Sequence, residues 1–143
     1  MVRIVRFLNL SRSDKRLLLH CVWVVAAVRV VLTFLPHQAV IRLLRERIPS
    51  LGEGDQAARI VWAVGMAARL VPRASCLTQA LAAQMLLARA GHQSNLRIGV
   101  AKHGESRFIA HAWLLSGERV LIGGPPQDLA RYTILADLSL PQP

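Results

Sequence analysis

The sequence predicts an α+β protein: N-terminal helices followed by a cysteine-bearing helix packed on a small antiparallel sheet. Three observations carry this reading. Residues 76–91 place apolar side chains at helical spacing between a serine and a glycine. Residues 95–122 hold three short apolar runs separated by turn signals. Residues 1–70 are apolar-basic runs interrupted by proline and glycine, which read as supporting helices.

The cysteine helix is the organising element. Pro72 disfavours an α conformation at Val71, so a new element starts after it. Ser75 is a good N-cap directly before Cys76. Leu77, Leu81, Met85 and Leu86 then recur on a helical period, and Gly91 stands where a C-terminal cap belongs. Cys76 therefore falls in the first turn. The free N–H groups and the helix dipole there favour a thiolate, and the same N–H groups suit a developing oxyanion.

The strands follow. Residues 95–101 (NLRIGVA) alternate Leu96, Ile98 and Val100 on one face. Residues 107–115 (RFIAHAWLL) are apolar except for Arg107 and His111, and residues 118–122 (ERVLI) come after a Ser116-Gly117 hairpin signal. His111 is a polar ring in an apolar strand and needs a partner. Trp113 shares its face, because strand side chains repeat every two residues. A helix packed on this sheet brings Cys76 and His111 together as nucleophile and base. Residues 132–135 read as a final edge strand.

Upstream, residues 1–9 alternate basic and apolar side chains, and Ser11 or Ser13 caps the next helix. Residues 17–35 (LLLHCVWVVAAVRVVLTFL) are long enough to raise a transmembrane question. His20 and Arg29 interrupt the run, and no second span is evident, so a buried helix is the simpler reading. An interfacial helix at the inner membrane face, near an exporter, is the sharper one. Pro36 ends the helix. A second helix covers 38–48 and a third 55–70, where Trp62 either packs in the core or covers the active site. The PSLGEG turn at 49–54 divides the chain into a helical region, 1–54, and a core, 55–143.

Composition bounds the function. The chain has 143 residues, 53% of them hydrophobic, and a formal charge of +10 from 18 Lys and Arg against 8 Asp and Glu. That balance attracts acidic partners. The basic residues are scattered along helices without a stacking strand set, which argues against nucleic acid and for a membrane surface or an acidic protein. Two cysteines in unlike contexts, Cys21 and Cys76, read as reduced thiols of a cytoplasmic protein. The histidines lack ligand spacing, so no metal is expected, and no phosphate loop is present, so no cofactor is.

Several features together resemble a known family: Cys76-Leu77 with Ala80-Leu81, a Leu-Leu pair ending in Arg89-Ala90-Gly91, Ile98-Gly99-Val100, and Ala110-His111-Ala112-Trp113. They are similar to the transglutaminase-like (papain-like) cysteine peptidases of lasso-peptide biosynthesis, in the form without a fused leader-binding domain. The closing Arg131-Tyr132-Thr133 fits as well. The resemblance implies that Cys76 is the nucleophile and His111 the base. It also implies that the enzyme removes the leader from a ribosomally made precursor peptide, acting with a separate leader-binding protein and an ATP-dependent lasso cyclase.

The family's third residue is an aspartate after the histidine, and here the sequence departs. With Ser116-Gly117 as the turn, His111 pairs with Ile122, and an orienting acid belongs near 122–124, where Gly123-Gly124 stand. The next acid is Asp128, reached if the loop 125–127 folds back. The competing account is a Cys-His dyad oriented by a backbone carbonyl or by Gln127. Amide transfer to an amine, a non-catalytic scaffold, and a basic membrane-surface protein with an incidental Cys-His pair are the alternative functions.

Overall fold

The computed structural model describes residues 9–44 and 57–140. The expected start before residue 9, the end of the second helix, the PSLGEG turn and the last three residues lie outside these. The elements are α1 (Arg12–Phe34), α2 (His37–Leu44), α3 (Ala57–Ala68), α4 (Cys76–Arg89), β1 (Asn95–His103), β2 (Arg107–Ser116), β3 (Arg119–Ile122), α5 (Pro126–Leu129) and β4 (Thr133–Ser139).

Helix α1 starts where a serine can cap it. The Ser11 hydroxyl accepts from the Asp14 N–H at 3.1 Å. The Asp14 carboxylate then receives Arg59 of α3 at 2.6 Å, which pins the two helices. That guanidinium, with the Ser11 hydroxyl, holds the Asp14 carboxyl below its ordinary value. The helix buries Leu17, Leu18, Cys21, Val24, Val25 and Val28 in the core that α3 and α4 share. Each full burial of this kind contributes about 1.5–3 kcal/mol. Helix α3 answers with Ile60, Ala63, Val64 and Ala67, of which the two alanines let the helices approach closely.

The four strands form one antiparallel sheet in the order β3-β2-β1-β4. Leu96 and Leu114 pair across β1 and β2 and turn toward the helices, joined by Ala112. Helix α4 lies on this face. Gln84, buried in the middle of α4, donates through Nε2 to the Leu138 carbonyl at 2.8 Å and to the Ser94 carbonyl at 3.3 Å. One side chain thus ties the helix to β4 and to the residue before β1. The opposite face carries Trp113 and Leu115, covered by Leu129 of α5 and by Tyr132.

Two expectations are corrected. The final strand is longer than 132–135: it runs Thr133–Ser139 and pairs along β1 from Val100 to Asn95. The hairpin turn is Gly117-Glu118, not Ser116-Gly117, because Ser116 pairs with Arg119. Gly117 has φ +60 and takes the first central position, which suits a turn that needs a left-handed residue there. A bulge then follows between Leu114 and Leu115, so Ile122 faces Leu114 and not His111.

Candidate active site

The start of α4 is built as the sequence suggests. Pro72 and Arg73 occupy a tight turn closed by the Ala74 N–H on the Val71 carbonyl at 3.4 Å. Arg73 holds φ +59, a left-handed conformation that costs a residue with a Cβ on the order of 1 kcal/mol. Ser75 is extended, and its hydroxyl accepts from the Thr78 N–H at 3.2 Å. The Gln79 N–H returns to the Ser75 carbonyl at 3.0 Å and begins the helical ladder. The helix itself offers no acceptor to the Cys76 and Leu77 N–H groups. Cys76 is a free, half-buried thiol beside them. At the other end, Gly91 has φ +83. The His92 and Gly91 N–H groups return to the Leu87 and Ala88 carbonyls, a closed C-terminal cap.

His111 stands on β2 opposite Gly99 of β1. Its Nε2 is 2.7 Å from the Gly123 carbonyl oxygen. A carbonyl oxygen only accepts, so Nε2 carries the proton, and in the neutral ring Nδ1 keeps the lone pair. Nδ1 is therefore the ring nitrogen able to accept a proton. The partner of Nε2 is thus a backbone carbonyl and not a carboxylate.

Gly123 can hold that place only as glycine. It has φ +124, and a Cβ on it would overlap the Trp113 Cβ. Trp113 is closed in from β1 as well. A Cβ at Gly99 would lie 2.8 Å from its ring and 2.9 Å from the Thr133 carbonyl. The close approach of chain at Gly123 excludes an acidic side chain at that position.

Trp113 and Tyr132 complete the surroundings of His111. The imidazole and indole centroids are 6.1 Å apart at an interplanar angle of 22°, and the phenol ring is 5.4 Å from the imidazole. Arg131 places its guanidinium 5.3 Å from the Tyr132 centroid. Trp113 beside His111 follows from strand alternation. Tyr132 and the Gly123 carbonyl were not singled out by the sequence as site groups. The first arrives from the far side of α5, and the second is backbone.

Asp128 lies in the single turn of α5, with its N–H on the Pro125 carbonyl at 3.0 Å and its side chain exposed. Among the described residues, no hydrogen bond joins Asp128 or Gln127 to His111, and none joins Cys76 to His111. Asp137, paired through Arg97 to the row of Trp113, is engaged by Arg97 at 2.8 Å. Helix α4 packs on β2, with Cys76 at the border of the core that holds Ala112 and Leu114. His111 alternates to the face of Trp113. Beside the start of α4 is a shallow cavity of about 420 Å³, lined by Trp62, Gly65, Met66 and Arg69 of α3 with its flank and by Gln79, one turn beyond Cys76. Trp62 is half exposed there, so it borders the cleft and does not fill the core. No group of three or more metal-ligating side chains occurs among the described residues.

A sequence profile of the transglutaminase-like superfamily matches residues 21–137. The chain belongs to the transglutaminase-like superfamily. The match begins at Cys21, inside α1, so this transglutaminase-like domain includes most of the first helix as well as the sheet. It fits cysteine-protease or amide-transfer chemistry, both of which use a thiol and a histidine for acyl transfer. No curated protein and no solved structure matches the chain.

Proposed function

We propose that this transglutaminase-like protein is a cytoplasmic cysteine peptidase that removes the leader from a ribosomally made lasso-peptide precursor. Cys76 is the nucleophile and His111 the base. Two observations support the reading: a half-buried thiol stands at a capped helix start, and the Nε2–H of His111 is held by the Gly123 carbonyl. The Gly123 bond leaves Nδ1 as the atom to take the Cys76 proton once the two groups are brought together. The thiolate attacks the carbonyl of the leader-core bond, and the N–H groups of Cys76 and Leu77 receive the oxyanion. His111 returns the proton to the leaving amine, and water resolves the thioester. Asp128 supports the base only if the α5 turn moves toward it. In cysteine enzymes without substrate the nucleophile–base bond is often loose and tightens on binding.

A domain this small leaves little surface for a leader-binding groove of its own, so a separate leader-binding protein presents the precursor. An ATP-dependent cyclase consumes the freed core. The test is a cleavage assay with the precursor, with and without that leader-binding protein, comparing wild type and Cys76→Ala by mass. One cut, lost in the variant and faster with the partner, supports the proposal. Equal rates with and without the partner overturn the presentation step. A cross-linked product in place of hydrolysis moves the activity to amide transfer.

One observation favours a second reading. Cys76 borders the helix-side core, whereas His111 stands with Trp113 on the other face. A scaffold that binds the precursor without cutting it needs no Cys-His bond. Retained precursor binding with no cut by either protein selects that reading.

A further inference from the structure

Helix α1 carries a second apolar face. Leu19, Trp23, Val30 and Phe34 are spaced by four, seven and four residues, so they form one stripe along the helix. They are 61, 51, 58 and 80% exposed. The stripe lies opposite Leu17, Cys21, Val24 and Val28, which are in the core. Continued toward the N-terminus at the same spacing, it meets Arg16 and Arg12, both exposed. The only acid in α1 is Asp14, and Arg59 engages it.

This distribution fits one kind of partner. A stripe paired with itself would give Arg12 and Arg16 no anion. An anionic bilayer supplies both halves: an acyl boundary for the leucine, valine and aromatic side chains, and phosphates for the guanidinium groups. The net charge of +10 favours the same surface. The 23-residue helix is long and apolar enough to cross a membrane, but crossing would pull its buried side chains out of the core it shares with α3 and α4. We propose that α1 lies on an anionic lipid surface, with Leu19, Trp23, Val30 and Phe34 in the acyl boundary and Arg12 and Arg16 among the headgroups. This holds whether or not the protein is a peptidase.

The test is flotation of the full chain with vesicles of phosphatidylcholine alone, or with about one third phosphatidylglycerol. Wild type is expected to float with the anionic vesicles and only weakly with the neutral ones. Trp23→Glu/Phe34→Glu abolishes flotation, and Arg12→Ala/Arg16→Ala weakens binding to the anionic vesicles by about thirtyfold. Should the double glutamate variant unfold, Phe34→Gln, at the exposed end of the helix, is expected to weaken flotation with the fold intact. Wild type that floats with neither vesicle, or glutamate and glutamine variants that float like wild type, overturns the proposal. A lipid-free dimer that Trp23→Glu dissociates, without vesicle binding, makes the stripe a self-association face and overturns it too.

Discussion

Replacing Gly123 with alanine perturbs two things at once, the backbone at φ +124 and the contact with Trp113. A residue with a Cβ in that region of backbone space costs on the order of 1–3 kcal/mol. The new Cβ overlaps the Trp113 Cβ and sits 2.9 Å from its Cα. Trp113 cannot retreat, because its ring already lies against Gly99. Overpacking of this kind adds about 1–3 kcal/mol. A total near 3 kcal/mol lowers the unfolding temperature by roughly 6–12 °C for a chain of this size. Any relief comes from moving residue 123, which lengthens the 2.7 Å bond from His111 and frees the imidazole. Gly65 is the control. It sits within α3 with nothing inside 4 Å of a Cβ, so Gly65→Ala should raise stability by about 0.5–1 kcal/mol through helix propensity. Thermal unfolding followed by circular dichroism reads both, and ring nitrogen shifts of His111 report whether Nε2 keeps its proton. If Gly123→Ala stays within about 1 kcal/mol of wild type, the clamp on Trp113 does not exist as described.

Three further outcomes are expected. Iodoacetamide on the native protein should label half-buried Cys76 at least about a hundredfold faster than fully buried Cys21, and Cys76→Ala should abolish the early label; equal rates would refute the burial difference. Asp128→Asn should lower cleavage less than about tenfold, since the Gly123 carbonyl already holds the Nε2 proton; a loss on the order of 10⁴, the size seen for a triad acid, would restore Asp128 to the site. The Asp14 carboxyl is held below its ordinary value of 3.8 in the folded state, so its stabilising pairing is complete above that value and is lost as pH falls through the lower folded value. Acid unfolding of wild type should therefore steepen below pH 3.8 relative to Asp14→Asn, and superimposable curves would count against the Arg59 pairing.

The local signals in the sequence carried a long way. Ser75 before Cys76 and Gly91 after Arg89 bracket α4 because caps act within one turn of chain, and the structure has those caps. The alternation around Leu96, Ile98 and His111 sets which residues share a face, and it put Trp113 beside His111. The apolar run of α1 was readable as a helix, with one face in the core. Other features were settled by contacts between distant segments. The Gly117-Glu118 turn and the bulge between Leu114 and Leu115 together set Ile122 opposite Leu114 and not His111, and the Gly123 carbonyl meets the imidazole. A register shift of that kind depends on how Trp113 packs between Gly99 on β1 and Gly123 just past β3, 24 positions apart in the numbering. The length of β4 depended on its partner β1, more than thirty residues upstream, and Tyr132 reached His111 only once that pairing formed. Caps and periodicity are written in neighbouring residues. Which backbone carbonyl faces an imidazole is decided by the packing of the whole sheet.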